Sequence, residues 1–524
     1  MSAIESLRLH SPALIIAIPL LTAFIIPLLS KIIGPKARNG FVVAVLTGVL
    51  ALVLLLAHDV ITGGTRTYVL GGSTPLLTLP SGYQVPVRIM FVIDAMGVFM
   101  GIMCGVIALV AAIYSCMETY EGLYKFYTLL LLVTTGIFGL VFTGDLFNLF
   151  VFFEILSIAS CGLVAFKIDS PMSMEGGFKY MVISDIGGLS LLVMIGLLYG
   201  QYDALNIGML ANRMDYGMID IIALGLIVTA LLMKSGSVPM HMWTPDAYGE
   251  TPSSVTIMIV GASLSSLYAL FRICFTLYGG FIGINVAGWI IVILALISIL
   301  VGVTMAIPQT DFKRLIGYAA VAEIGFILLG LGAGLASLSG NSVDAYGIKA
   351  MEGSIFHIFN DALDIGLLFF VAAVVSYATG QRNLNNLCGL GRKMKYTTFL
   401  FIIGLAAVAG LPPMNGFASK FLIYESVFHL NPILAIIGIL GSIMMLAIFV
   451  KAFSGAFLGP PVPELETYKK VPRSMLFAMS IVVAIIVFFG LFPDLIVDNL
   501  AHPAAQALVN HSEYISHAIR IGGV

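Results

Sequence analysis

Charge is scarce in this chain. Only 10% of its 524 residues are Asp, Glu, Lys or Arg, against 60% hydrophobic, where a soluble domain carries roughly 25% charge. That scarcity excludes an ordinary soluble globule, and runs of about 20 apolar residues read instead as membrane-crossing helices. Cysteine is sparse as well. Cys104, Cys116, Cys161, Cys274 and Cys388 form no C-x-x-C pair, which argues against a disulfide framework or an iron–sulfur site and leaves packed thiols. A net charge of −2 lacks the basic excess of a nucleic-acid binder. The first apolar run, Pro12–Ile33, has no A-x-A cleavage site and reads as a retained helix rather than a signal peptide. GLGAGLASLSG is glycine-rich but lacks the strand–turn–helix setting of a nucleotide loop. No constellation for redox or hydrolytic chemistry is visible, and no cofactor or metal is expected, so any enzyme activity would belong to an assembly rather than to this chain alone.

What the sequence does have is apolar segments in series. The pattern predicts an all-α polytopic membrane protein with about fourteen helices, near 12–33, 40–58, 90–115, 123–143, 146–166, 178–199, 217–235, 253–278, 282–307, 312–334, 350–377, 397–430, 432–458 and 474–498. The one long connection, about 59–89, carries Gly63-Gly64, Gly71-Gly72, Pro75, Pro80 and Pro86 among Thr, Val and Tyr, and suggests a small outer β-hairpin. The tail after Pro493 is too short and mixed for a spanning helix and reads as interfacial. With both termini outside, fifteen Lys and Arg fall in inner loops and six in outer segments. Lys234, Arg272, Lys420 and Lys451 lie within or near the membrane and complete the 25. An odd helix count would place the later basic loops on the wrong side.

Against this apolar background a few ionisable residues stand out. In VTALLMKSGSVPMHMWTPDAY an apolar run carries Lys234 and then breaks at Gly236 and Pro239. A lysine at mid-membrane costs about 2.5–3.5 kcal/mol on insertion scales, and a broken helix frees backbone groups that protein or water must satisfy. The twelfth span repeats the pattern, with GLPPMNG (410–416) interrupting it and Lys420 following by one turn. Five helices separate the two breaks, which suggests two five-helix units, helices four to eight and nine to thirteen; equal spacing does not say whether they are parallel or inverted. The expected division is 1–122 (helices one to three with the outer loop), 123–280, 281–458, and 459–524 (helix fourteen and tail).

Glu154, far from either end of LFNLFVFFEILSIAS, must be protonated, paired or hydrated, and is read as the partner of Lys234. Glu323 has small neighbours, Ala319, Ala320, Ala322 and Gly325, which leave room for water or another helix. His357, Asp361 and Asp364 share one helical face at i, i+4 and i, i+3 spacing; they suit a proton relay, with cation coordination as the alternative. Glu425 is either the partner of Lys420 or an interface residue. His241 and Asp246, after the first break, are candidates for proton uptake. Arg272 and Lys451 lie near helix ends, where snorkelling is the default, and Asp94 and Asp145 begin helices, where capping is. Asp185 stays open between packing and function.

FVIDAMGVF, TGDLFNLFVFFEILSIAS, LLMKSGSVPMHMWTPDAY, QTDFKRLIGYAAVAEIGF and GLPPMNGFASKF together make residues 90–455 resemble the antiporter-like subunits of respiratory complex I and of multisubunit Mrp Na+/H+ antiporters. The flavour is nearest to the Mrp D type, which also occurs in membrane-bound hydrogenases and related ferredoxin-linked complexes. The resemblance implies fourteen helices, inverted five-helix repeats, broken helices seven and twelve, and a midplane proton line. It puts Glu154 in the helix-five place, Lys234 in the helix-seven place, Lys420 in the helix-twelve place and Glu323 where relatives often have His or Gln. Two departures follow. The expected helix-eight lysine falls near Leu264, with only Ser263 and Ser265 close by, and the helix-eleven histidine falls near Asp361, with His357 one turn away. The implied function is a proton- or Na+/H+-translocating subunit of a larger complex in the cell membrane, partnered by other membrane subunits and the lipid bilayer, with no nucleic acid. The rival reading is a structural membrane anchor whose proton path is silenced at Leu264.

Overall fold

The computed structural model describes residues 3–72, 77–78, 84–85, 88–117, 122–338, 343–460 and 469–522. Among them, thirteen helices are long and apolar enough to cross a membrane. The expected 397–430 span is two shorter helices, Lys395–Val408 and Asn415–Leu430, separated by non-helical residues 409–414. Helix Met218–Ser235 likewise stops, and Trp243–Glu250 begins after non-helical 236–242.

Local chemistry sets many of the boundaries. Proline occupies the first turn of Pro35–Gly63, Pro171–Tyr202 and Pro432–Phe457, where its missing N–H costs nothing. Asp94, Asp145 and Asp311 each cap a helix by accepting from a backbone N–H three residues on. The third helix starts later than expected, at Ala95, because Met90–Ile93 is a strand paired antiparallel with Arg66–Val69, Arg66 opposite Ile93. A second pair, Leu77–Thr78 with Gln84–Val85, lies in the same connection; Pro75, Pro80 and Pro86 fall outside the described residues.

Three helices form the centre. In the most apolar stretch of Ser253–Leu277 and of Phe312–Ser337 every position is buried, and in Ile348–Thr379 nearly every one is. The remaining spans surround them and keep one face outward, where Phe178, Leu189, Ile293 and Ile443 are exposed as lipid-facing residues are. Ile284–Ala306 lies against Phe312–Ser337 at small residues: a Cβ on Gly302 would come 2.6 Å from the Ala322 nitrogen, and one on Gly288 2.7 Å from that of Ala336. Such contacts let helix backbones approach where lipid supplies no hydrophobic drive. This packing occupies the room beside Glu323 at Gly325, and Gly332 serves it further along, whereas Gly330 and Gly334 face Ala350, Ser354 and Met351 of Ile348–Thr379.

The tail, expected to be interfacial, is helical and packed on the protein. Pro493–Ile496, His502–Val509 and His511–Gly522 turn back onto the protein, burying Ala504, Ala505, Leu508 and Tyr514. The Tyr514 ring lies 4.6 Å from the Arg272 guanidinium. Arg272 does not snorkel. It is 1% exposed and forks onto Asp94, Nη1 to Oδ2 at 2.7 Å and Nη2 to Oδ1 at 2.6 Å. A buried guanidinium needs this bidentate partner, so Asp94 both caps its helix and neutralises Arg272. All five cysteines are free thiols.

Candidate functional site

Lys234 lies in the last turn of Met218–Ser235, and Gly236 ends that helix with φ +83°. The left-handed turn admits glycine, and a Cβ there would clash with Thr244 Oγ1. The lysine is 1% exposed, and its ammonium donates to three hydroxyls: Tyr180 OH at 2.6 Å, Ser157 Oγ at 2.9 Å and Ser184 Oγ at 2.9 Å. It is also 4.3 Å from the Tyr180 ring centroid. The expected Glu154–Lys234 contact is not formed: Glu154 makes no ion pair within 4.0 Å among the described residues and is only half-buried. Its carboxylate lies over Gly188, where a Cβ would meet Oε1. The hydroxyl cage was missed from sequence because isolated serines and a tyrosine in apolar helices carry no spacing signal of their own.

The second cluster is ionic. Lys420 Nζ is 2.7 Å from Glu323 Oε1 and donates to the Val408 carbonyl at 2.7 Å, the last residue of helix Lys395–Val408. Glu323 Oε2 lies 2.9 Å from His357 Nε2, and His357 Nδ1 is 2.9 Å from Ser419 Oγ. Asn360 donates to Ser419 Oγ at 2.9 Å and to the Asn415 carbonyl at 3.1 Å; Asn415 donates to Asp364 Oδ1 at 3.0 Å. Lys420, Glu323, His357, Asp361 and Asp364 are each no more than 2% exposed. Asp361 stands apart, its Oδ1 without a hydrogen-bond partner. The shared face of 357, 361 and 364 therefore divides: His357 meets Glu323 and Ser419, Asp364 accepts from Asn415, and Asp361 Oδ1 is left without a partner. Among the described residues no group of three or more His, Cys, Asp and Glu is placed to hold a metal ion. Glu425 is not the partner of Lys420; it pairs with Lys349 at 3.4 Å near the surface.

Between the clusters runs a set of aromatic and hydroxyl side chains. Tyr180 meets Trp243 edge-on at 4.9 Å, and Trp243 meets Tyr248 at 5.9 Å. Tyr248 OH donates to Ser263 Oγ at 2.7 Å, whereas Ser265 bonds back to the Ala262 carbonyl at 2.7 Å. Leu264 is fully buried. His241 is 8% exposed. Asp246 is engaged, 2.7 Å from Lys179 and 2.9 Å from Arg314.

Against known proteins, the chain is 32% identical to NADH-quinone oxidoreductase subunit N of Desulforudis audaxviator, over 94% of this chain and 97% of that one. It is 28% identical to an Na(+)/H(+) antiporter subunit of Alkalihalophilus pseudofirmus, over 94% of this chain but 62% of that longer one. Its fold matches a chain in the Mrp complex structure from Dietzia sp. DQ12-45-1b with a TM-score of 0.86 at 23% identity, covering 99% of this chain and all of that one. Residues 143–446, which contain both lysine clusters, match the family described as NADH:quinone oxidoreductase/Mrp antiporter, TM, and the chain is a multi-span membrane protein belonging to that family.

Proposed function

We propose that this protein moves protons, alone or in exchange for Na+, as one membrane subunit of a multisubunit complex of the Mrp or complex I kind. The observation that carries the reading is the buried Lys420–Glu323–His357–Ser419 network, held in a chain with so little other charge. An intramembrane ionisable residue is a functional candidate by default, and here three are in register with hydroxyl and amide partners. The path we assign runs through Glu154, Lys234, Ser263, Ser265, Glu323, His357, Asp361, Asp364 and Lys420. Separating Glu323 from Lys420 would change the proton affinity of both, each pKa unit corresponding to about 1.36 kcal/mol.

In this reading 218–250 and 395–430 are each one interrupted crossing, the seventh and twelfth of fourteen. Residues 123–280 and 281–458 are inverted five-helix repeats, and both termini lie outside the cell membrane. The names of the relatives support the choice of ion and of assembly. In vesicles containing the complex, Lys234→Ala is expected to abolish coupled ion flux while leaving assembly intact. Flux at the wild-type level would overturn the assignment.

One observation favours the anchor reading: fully buried Leu264 interrupts the polar line, and neighbouring Ser265 is turned onto its own helix. Dye-based proton flux of wild type and Leu264→Lys separates the two. A silent wild type that gains flux with the lysine identifies an anchor.

A further inference from the structure

The clusters above explain how a proton is held at the centre of the protein, not how one reaches it. One end of the helix bundle contains a cavity of about 290 Å³, lined by Lys313, Ser253, Glu250, Arg382, Lys167 and Ser376 among others, with Lys167 and Tyr377 exposed at its rim. Lys313 is buried, with only 6% exposure. Its ammonium donates to the Thr251 carbonyl at 3.2 Å and makes no ion pair among the described residues. The cavity's carboxylate, Glu250, is committed elsewhere: Arg382 lies 3.0 Å from it and 3.1 Å from Asp311, which lines the neighbouring cavity. The groups facing Lys313 are thus Lys167, Glu250, Asp311 and Arg382, and none neutralises it. A buried charge without a counter-ion is expensive, so an ammonium here is poorly suited to a purely structural role.

From that lysine, hydroxyls lead inward. Ser253, Thr256 and Ser263 fall on one face of Ser253–Phe271, spaced by three and seven residues; all three are buried, and Thr256 Oγ1, which donates to the Pro252 carbonyl at 3.3 Å, must rotate off it to pass a proton on. Tyr248 arises three residues before Thr251, and its hydroxyl donates to Ser263 Oγ at 2.7 Å. Asp361, on the neighbouring central helix Ile348–Thr379, has an Oδ1 that lacks a partner. Asp246, by contrast, lines a separate cavity of about 350 Å³ and is held between two cations.

We propose that Lys313, at the floor of this cavity, takes up protons from the aqueous side and hands them to the central line by way of Ser253, Thr256 and the Tyr248–Ser263 hydroxyl pair. The inference rests on the proton-translocation reading, and Lys420→Ala in the same vesicles keeps the two separable. With the intact complex, Lys313→Met is expected to cut proton flux at least tenfold without reducing the amount of assembled complex. Lys313→Cys is expected to be equally impaired. Treating it after assembly with aminoethyl methanethiosulfonate, which rebuilds an amine of lysine-like length, is expected to restore several-fold flux; neutral methyl methanethiosulfonate is not, and identically treated wild type controls for the native thiols. Should Lys313→Met not assemble, the reagent pair on assembled Lys313→Cys decides, and Tyr248→Phe is expected to lower flux as well. Wild-type flux in Lys313→Met, or rescue by both reagents equally or by neither, overturns the proposal. If Lys420→Ala is inactive while Lys313→Met is normal, only the uptake site is wrong; if Lys420→Ala is normal, translocation by this line is wrong and the uptake site falls with it.

Discussion

Lys234 and Lys420 are two solutions to one problem. Both ammonium groups are buried, and both lie at the C-terminal end of a helix that stops inside the protein. Lys234 belongs to the last turn of its own helix; Lys420 starts beyond the interruption and reaches back to the terminal Val408 carbonyl. The end of a helix offers unsatisfied carbonyls and the negative pole of its dipole, so each interruption supplies part of the stabilisation that water would give. The two clusters then diverge. Around Lys234 the remaining contacts are three neutral hydroxyls, whereas Lys420 has a full carboxylate and, behind it, an imidazole. A hydroxyl cage can keep its geometry whether the amine is charged or neutral, because a hydroxyl both donates and accepts. An ion pair cannot, since losing either charge strands the other. In the proposed relay, the Lys234 site would tolerate a change of charge in place, and the Lys420 site would couple it to a neighbour.

The difference can be tested by substitutions of decreasing expected effect. Glu323→Gln should be the most damaging, costing about 3–5 kcal/mol because it leaves Lys420 buried without its counter-charge; thermal unfolding of the purified complex measures it, and a shift no larger than that of a hydroxyl deletion would dissolve the contrast. Gly236→Ala comes next. Its φ of +83° costs about 1–2 kcal/mol for a non-glycine residue, and the added Cβ must displace Thr244. Gly410→Ala, whose Cβ would meet the end of the flexible Lys420 stem at 3.2 Å, should cost less, and the two alanine variants compared in one melt show whether the interruptions are equally tight. Tyr180→Phe removes one of the three acceptors around Lys234 and, with two remaining, should cost about 1 kcal/mol, with flux lowered but not abolished; complete loss would mean the cage cannot share its load. Glu154→Gln should change stability least, by no more than about 1 kcal/mol, because that carboxylate makes no ion pair here. If it nonetheless lowers flux, Glu154 acts on transport from outside the Lys234 cage.

Much of this site was legible in the amino-acid sequence. A lysine in an apolar run beside Gly and Pro announces itself, since only a strong local reason keeps such a charge in lipid, and Lys234 and Lys420 were visible on that ground; Glu323 stood out as a carboxylate among small residues and His357 by sharing a helical face with Asp361 and Asp364. The pairings were not. Glu154 and Lys234 matched by charge, yet the helix that carries Tyr180 and Ser184 presents hydroxyls to the ammonium instead. Asn360, Asn415 and Ser419 gave no signal because amides and hydroxyls are cheap enough to appear anywhere. Arg272 looked like a helix-end residue free to reach water, but its partner Asp94 lies 178 positions away in the chain, and the folded-back tail covers both.

The sequence by itself determined the medium, the helices and the places where two of them are interrupted. Those follow from local composition, because hydropathy and the backbone limits of glycine and proline act over one or two turns. Which buried group faces which was decided only by tertiary structure. A contact between helices depends on their rotation, depth and crossing, and these are set by small-residue packing summed over the whole bundle rather than by anything written beside the residue concerned.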